Sequence, residues 1–316
     1  MKNIVTIYYG DDWDKEIPIK NEATRKSFEN WHKKSFEQGV EMYRSSVKWY
    51  DAVSGVFKKA WIFRDGKWHK IEKDIRADLI YDKVGGAHNY ELHDLKMRML
   101  ENSKVFNVPL FQTFLNNKIS QYVMFGEFMP KTFLALNDEE FYQCIEKIIS
   151  GKVVIKKIYG SGGFGVSIEE KGQLNQEKRE YPVLIQEFIQ STGGIPGFSP
   201  KGVVADLRMV YFNHKFSYAL SRVAKGDSLF TNFHQGATAV MVPVEKIPED
   251  AKRIVQKIVE KLHIFPKALY SIDLMFSDDG KPFVIEMNTT PGLDLLGQFG
   301  SKQQQDDFFN DFIGLL

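Results

Sequence analysis

The sequence predicts an α/β protein of the mixed α+β kind, and three observations carry that expectation. Runs with strand character alternate with amphipathic helical stretches along the chain. A glycine-dense turn, Gly160-Ser161-Gly162-Gly163-Phe164-Gly165, sits between two β-rich runs within residues 153–168. A second hairpin near the C-terminus sets Asp273 and Glu286 among Ile, Leu, Met, Val and Phe.

Residues 3–9 read as an opening strand, closed by Gly10-Asp11-Asp12. Residues 22–44 are polar, with Phe28, Trp31, Phe36, Val40 and Tyr43 near helical spacing, which predicts one amphipathic helix. Val47-Lys48-Trp49-Tyr50 begins another strand, and residues 60–68 form a hairpin about Asp65-Gly66. Residues 77–82 are a short, mostly apolar strand ahead of Gly85-Gly86. The segment 104–115 carries the chain to a new unit at Asn116-Asn117-Lys118. A helix at 137–149 is opened by the Asn137-Asp138-Glu139 cap signal. Beyond the glycine hairpin, 182–189 is an apolar strand and the Gly/Pro/Ser-rich stretch 191–202 a loop or hinge. Strand-like 206–212 and 216–223 flank an Asn213-His214 turn, and a helix near 249–262 precedes the second hairpin, turned by Asp278-Asp279-Gly280. The aromatic tail FFNDFIGLL reads as a final packed helix.

With 316 residues the chain can bury a proper core in one large domain or two to three smaller ones. A hydrophobic content of 43% and a charged content of 26% are those of an ordinary globular protein. The net charge of +1 argues against nucleic acid or a membrane surface as partner, since no excess of basic residues is available. Cys144 is the single cysteine, which excludes an intramolecular disulfide and fits a reducing compartment. No signal-peptide pattern opens the chain and no run of 18 apolar residues occurs, so a cytoplasmic location is expected.

The glycine hairpin exposes backbone N–H groups and lets a ligand approach the main chain, while Lys156 supplies a cation on the feeding strand. Polyphosphate suits that pairing; an ordinary hairpin with positive-φ glycines is the alternative. The stretch is neither a P-loop nor a Rossmann fingerprint, because Val166-Ser167-Ile168 continues as strand where those motifs open a helix. Asp273, Glu286 and Asn288 supply two carboxylates and an amide oxygen, with Glu286 and Asn288 on one face. Hard oxygen donors of this kind suit magnesium bridging phosphate oxygens; strand-end carboxylates in solvent are the alternative. Mutual repulsion between the two carboxylates is expected to raise the pKa of one of them in the absence of metal.

Taken in order, Asn-Asn-Lys118, Lys156 with GSGGFGV, Leu-Ile-Gln186-Glu187-Phe-Ile, Asp206-Leu-Arg208, Arg222, Asn232-Phe-His-Gln-Gly236-Ala, Asp273, and Glu286-Met-Asn288 with Thr-Thr-Pro291-Gly292 resemble the ATP-grasp superfamily of carboxylate–amine ligases. Within it the chain looks most like the branch of glutathione synthetase and the ligase that adds glutamate to a ribosomal protein. The resemblance implies an ATP-grasp fold whose nucleotide cleft lies between two α+β subdomains. It divides the chain into an N-terminal α/β domain (1–112), a small lid subdomain (113–190) and a large subdomain with the magnesium site (191–316). It implies that Lys118 and Lys156 contact ATP phosphates, that Ser161, Gly162, Gly163 and Gly165 form the lid, and that Asn232 joins the nucleotide contacts. Gln186, Glu187, Phe188 and Ile189 form the strand whose backbone reads adenine, with the Glu187 side chain unassigned. Arg208 and Arg222 face the γ-phosphate and the acyl phosphate, and Asp273, Glu286 and Asn288 hold magnesium, with manganese the alternative ion. Two departures stand out: Lys157 where the family often has proline, and Gly236-Ala237 where it often has two glycines.

The implied reaction transfers the γ-phosphoryl of ATP to a carboxylate, and an amine then displaces phosphate to give an amide. Partners would be ATP, an acid and an amine of amino-acid, peptide or protein-terminus type, and a homo-oligomer is allowed. The rivals are an ATP-grasp kinase acting on a hydroxyl and a nucleotide-binding module without catalysis. No residue stands out in the sequence to deprotonate the amine.

Overall fold

The structure, a computed structural model, describes residues 1–160, 165–175, 179–200, 202–226, 228–231 and 236–316. Its described strands form three sheets that follow one another along the chain. The first holds β1 (Lys2–Tyr8), β2 (Val40–Ser46), β3 (Tyr50–Asp51), β4 (Val56–Arg64), β5 (Lys67–Ile75), β6 (Leu79–Asp82) and β7 (Lys104–Phe106) in the order β3-β4-β2-β1-β6-β7, with β5 on β4. Strands β2, β1, β6 and β7 are parallel, and α1 (Glu22–Glu37) is the crossover between the first two in sequence. Helices α2 (His88–Glu91) and α3 (His93–Leu100) join β6 to β7.

After α4 (Pro109–Leu115) and α5 (Lys118–Phe125) comes an antiparallel sheet of β8 (Thr132–Ala135), β9 (Lys152–Lys157), β10 (Val166–Glu170) and β11 (Val183–Glu187), ordered β10-β9-β11-β8, with α6 (Asp138–Glu146) against it. The third sheet holds β12 (Ala205–Phe212), β13 (Lys215–Val223), β14 (Thr238–Met241), β15 (Leu269–Phe276) and β16 (Pro282–Asn288), ordered β14-β13-β12-β15-β16. Helix α7 (Glu249–Leu262) buries Val255, Ile258 and Leu262 against Met209, Tyr211 and Ile272 on one face of that sheet. On the other face, Val210, Phe212, Tyr218 and Leu220 share a core with β1, α1, α8 (Leu293–Phe299) and α9 (Lys302–Ile313). Trp31 of α1 meets Phe308, Phe309 and Phe312 of α9 at centroid distances of 6.0, 5.6 and 4.6 Å. The C-terminal helix therefore pins the first sheet to the third.

Several sequence expectations change. The helix expected over 22–44 ends at Glu37: Gly39 adopts φ +72°, and Val40–Ser46 then pairs along β1. Its apolar residues fit a helical period only up to Phe36; beyond the glycine, parallel pairing governs them. Residues 47–49 form a 3₁₀ turn rather than a strand, and Pro109–Leu115 is helical. The Asp65-Gly66 turn has φ of +52° and +77°, and the Asn213-His214 turn has +51° and +62°, the left-handed geometry that twisted hairpins require.

Candidate active site

The cleft between the second and third sheets begins with strand alternation. Val154 and Lys156 lie two apart on β9 and share a face; β10 sets Ile168 opposite Val154 and Val166 opposite Lys156. Met275 of β15 and Ile285 of β16 complete an apolar slot. At its edge β11 ends at Glu187, and Phe188 and Ile189 leave the ladder while still lining the cleft. Ser150 Oγ accepts from Phe188 N–H at 3.2 Å, and the Glu187 carboxylate accepts from Ile149 N–H at 3.4 Å. Gln186 is buried, its Nε2 donating to Thr132 Oγ1 at 2.8 Å.

Two lysines bridge the sheets. Lys156 Nζ donates to Gln186 Oε1 at 2.7 Å and to the Ile285 carbonyl of β16 at 3.1 Å. Burial lowers its pKa from 10.5 to about 8, with Lys118 adding to the fall and Glu286 and Asp273 opposing it. Lys118 opens α5, whose N-cap Asn117 accepts from Ile119 and Ser120 N–H at 2.8 and 3.2 Å. Its Nζ donates to the Gly160 carbonyl at 2.6 Å and stands 3.0 Å from Glu286 Oε1. Gly165, at φ +72°, leads into β10: its carbonyl accepts from Lys157 N–H at 2.9 Å, and a Cβ there would meet Lys157 Cδ at 2.9 Å.

A ladder of alternating charge runs across the third sheet. Register pairs Asp206 with Arg222, Arg208 with Asp273 and Asp273 with Glu286. Arg208 grips Asp273 in a fork, Nε to Oδ1 at 2.8 Å and Nη2 to Oδ2 at 2.6 Å. Arg222 forks onto both oxygens of Asp206 and reaches Asp273 Oδ2 at 2.8 Å. Thr231 Oγ1 donates to Asp206 Oδ2 at 2.6 Å. Asp206 and Arg222 are 0% and 4% exposed, so neither charge is stable there without the other. Burial raises the Asp206 pKa against the pull of Arg222. Burial also pushes Asp273 up, but Arg208 and Arg222 outweigh it and hold that carboxyl below its usual value. The expected rise through carboxylate repulsion is therefore corrected for Asp273: two guanidiniums lie nearer in effect than Glu286.

Strand β16 is an edge strand, and side-chain amides hold it where backbone partners are missing. Gln121 donates to the Met287 carbonyl at 2.9 Å and accepts from Met287 N–H at 3.0 Å. Asn107 donates to the carbonyls of Thr289 and Leu269 at 2.8 and 2.7 Å, and Gln112 accepts from Thr289 Oγ1. These contacts fix the backbone that carries Glu286 and Asn288.

The structure thus gathers Lys118, Lys156, Gln186, Glu187, Phe188, Ile189, Arg222, Asp273 and Glu286 along one cleft, with Arg208 on Asp273. Asn288 lies across from Ser271 and outside the lining, its Nδ2 buried without a partner among the described residues. Ser161, Gly162, Gly163 and Asn232 fall outside the described residues. Asp206, part of the Asp206-Leu-Arg208 motif but given no role from the sequence, and Thr231, which no sequence pattern marked, complete the ladder. Among the described residues no group of three or more His, Cys, Asp or Glu is placed to hold a metal, and no helix is long and apolar enough to cross a membrane.

Two lysines bridging the cleft and a carboxylate-bearing hairpin, set between two antiparallel sheets, agree with an ATP-grasp protein. The RimK-like ATP-grasp domain matches residues 120–303, more than half of the chain, and the chain belongs to that family. It is 28% identical over 172 residues to a probable alpha-L-glutamate ligase of Psychromonas ingrahamii, a match covering 52% of this chain and 51% of the relative. The chain thus spans about half the length of that relative. Among solved structures, the D-alanyl-alanine synthetase A of Vibrio cholerae aligns with a TM-score of 0.63 at 13% identity, covering 99% of this chain and 96% of that one. A Chryseobacterium gregarium RiPP-associated ATP-grasp ligase, in complex with ADP and a leader and core peptide, aligns with a TM-score of 0.59 at 16% identity over 100% of this chain and 96% of that one. At these identities the structural likeness speaks for the fold.

Proposed function

We propose that the protein is an ATP-dependent carboxylate–amine ligase that forms an amide through an acyl phosphate, releasing ADP and phosphate. The observation that carries this reading is the convergence, in one cleft, of an apolar slot, two lysines and the Arg208–Asp273–Arg222 ladder beside Glu286. Family membership supports it, as do relatives named as ligases. The division at about residues 112 and 190 is proposed with it, the lid unit closing over the C-terminal unit.

In this reading the slot of Val154, Val166, Ile168, Met275 and Ile285 takes the flat adenine, and the backbone past Glu187, at Phe188 and Ile189, where the chain has left the ladder, reads its edge. Lys118 and Lys156 neutralise phosphate oxygens. Arg208 and Arg222 stand at the reacting end, where a guanidinium fork matches the oxygens of a transferring phosphoryl group. The turn 160–165 covers the acyl phosphate against water. Asp273, Glu286 and Asn288 are hard-oxygen donors on neighbouring strands and fit magnesium, although Arg208 and Arg222 compete for Asp273. Such an ion, or manganese in its place, would neutralise charge on the phosphate chain.

Hydroxylamine trapping tests the reading. With ATP, magnesium and a panel of amino acids and short peptides, an acyl phosphate yields a hydroxamate. A stable phosphorylated alcohol, identified by mass, would instead make the protein a kinase.

A further inference from the structure

The reaction needs a group that receives the amine, and the structure contains a buried carboxylate outside the nucleotide cleft with no partner. Asp294, on α8, is 8% exposed, and it makes no hydrogen bond or ion pair among the described residues. Its oxygens are not among the fully buried polar atoms left without a partner, so the carboxylate sits deep in the fold but still meets solvent. Its oxygen lies over the Cα of Gly292, where a Cβ would come within 2.2 Å, so glycine at 292 is what lets the carboxylate take this place.

The surroundings of Asp294 belong to both halves of the molecule. From the first sheet comes Lys83, one residue past β6, whose Nζ donates to the carbonyls of Thr290 and Pro291 at 3.2 and 3.1 Å. Those carbonyls lie in the loop between Asn288 and α8, so Lys83 ties that loop to the carboxyl ends of the parallel strands. Strands β2 and β6 flank β1 there, on opposite sides of it, the kind of switch point where α/β sheets bind ligands. From the third sheet comes Tyr218, on the face that also carries Leu220 and Arg222 by strand alternation. Asp294 acts electrostatically on both Lys83 and Tyr218, and Arg208 acts on Tyr218 in turn. Arg44 lies over the Tyr8 ring at 3.4 Å, held to Asp12 at 2.7 Å, and Tyr8 Oη is buried without a partner. Asp294 thus stands within electrostatic reach of Lys83 and Tyr218, where the strand ends of the first sheet meet the loop before α8, and offers an anion to an ammonium.

We propose that Asp294 holds the ammonium of an incoming α-amino acid, or of a peptide N-terminus, and takes from it the proton whose loss frees the nitrogen to attack. Resting on the ligase reading, the step balances: the Asp294 carboxylate takes one proton from the bound ammonium, the freed amine nitrogen forms the C–N bond, the acyl C–O bond to phosphate breaks with the electron pair leaving on phosphate, and the second N–H proton departs with that phosphate.

The test compares Asp294→Asn and Asp294→Glu with the native chain, using ATP, magnesium and the twenty amino acids with short peptides as both acids and amines. Hydroxamate reports activation of the acid, since hydroxylamine is a small uncharged nucleophile; amide product reports use of the natural amine. In Asp294→Asn the ratio of amide to hydroxamate is expected to fall at least tenfold, with KM for the amine raised and ATP affinity retained, and Asp294→Glu should recover part of it. A role only in starting α8 would lower the melting temperature and leave that ratio unchanged, which would overturn the proposal. So would a native chain that makes hydroxamate but no amide from any amine of the panel. A native chain that makes no hydroxamate at all contradicts the ligase reading itself, a distinct failure.

Discussion

Lys156 is held in the folded chain against its own charge, and that has a measurable sign. The fall of its pKa from 10.5 to about 8 corresponds, at about 1.36 kcal/mol per pH unit, to roughly 3 kcal/mol working against the protonated amine at neutral pH. Replacing it by methionine removes that cost but also the bonds to Gln186 and Ile285, each worth roughly 0.5–1.5 kcal/mol net. Lys156→Met should therefore be equal to the native chain in stability at pH 7 or more stable by up to about 2 kcal/mol. Its ATP affinity should move the other way, weakening by roughly 1.5–3 kcal/mol, or about 10- to 150-fold, through loss of a charge-assisted contact. Between about pH 8 and 10.5 the unfolded chain keeps this proton while the folded chain gives it up, so this lysine makes stability rise with pH over that window. Below about pH 8 both states are protonated and the slope disappears. Denaturant titrations at several pH values should show the native curve rising relative to the variant's, and calorimetry should show the loss in ATP binding. Equal pH slopes in the two proteins, or undiminished ATP affinity in Lys156→Met, refute the reasoning.

Two further outcomes are expected. Glu286→Gln keeps side-chain shape but removes a charge from the carboxylate pair and from Lys118 at 3.0 Å, so turnover should fall at least tenfold in a coupled ADP assay while the melting temperature moves little; normal turnover would remove Glu286 from the mechanism. Asp206→Asn leaves Arg222 buried with a weakened partner, so stability should drop by roughly 3–5 kcal/mol in urea titrations, and an unchanged midpoint would show that Arg222 does not depend on Asp206.

Much of this protein was legible locally. The Asp65-Gly66, Asn213-His214 and Asp278-Asp279-Gly280 turns, the helix Glu249–Leu262 and the strands bearing Asp273 and Glu286 follow from patterns within a few residues, because φ restrictions and side-chain alternation act at that range. Lys156 on its strand could be read for the same reason. What the tertiary structure decided lies between segments far apart in the chain. Arg208 faces Asp273, 65 residues on, because β12 pairs with β15 although two strands and a helix intervene in the chain. Asp206 buries Arg222, amides from α4 and α5 clamp an edge strand, and Val40–Ser46 becomes a strand because β1 is there to pair with it. Asp294 shows the limit most plainly: in sequence it is one acidic residue at a helix start, and only the packing of α8 between the first and third sheets buries it, with no hydrogen-bond donor among the described residues. Periodicity reports which face of an element is apolar. Which charges meet across the faces is settled by sheet order, and sheet order comes from the core.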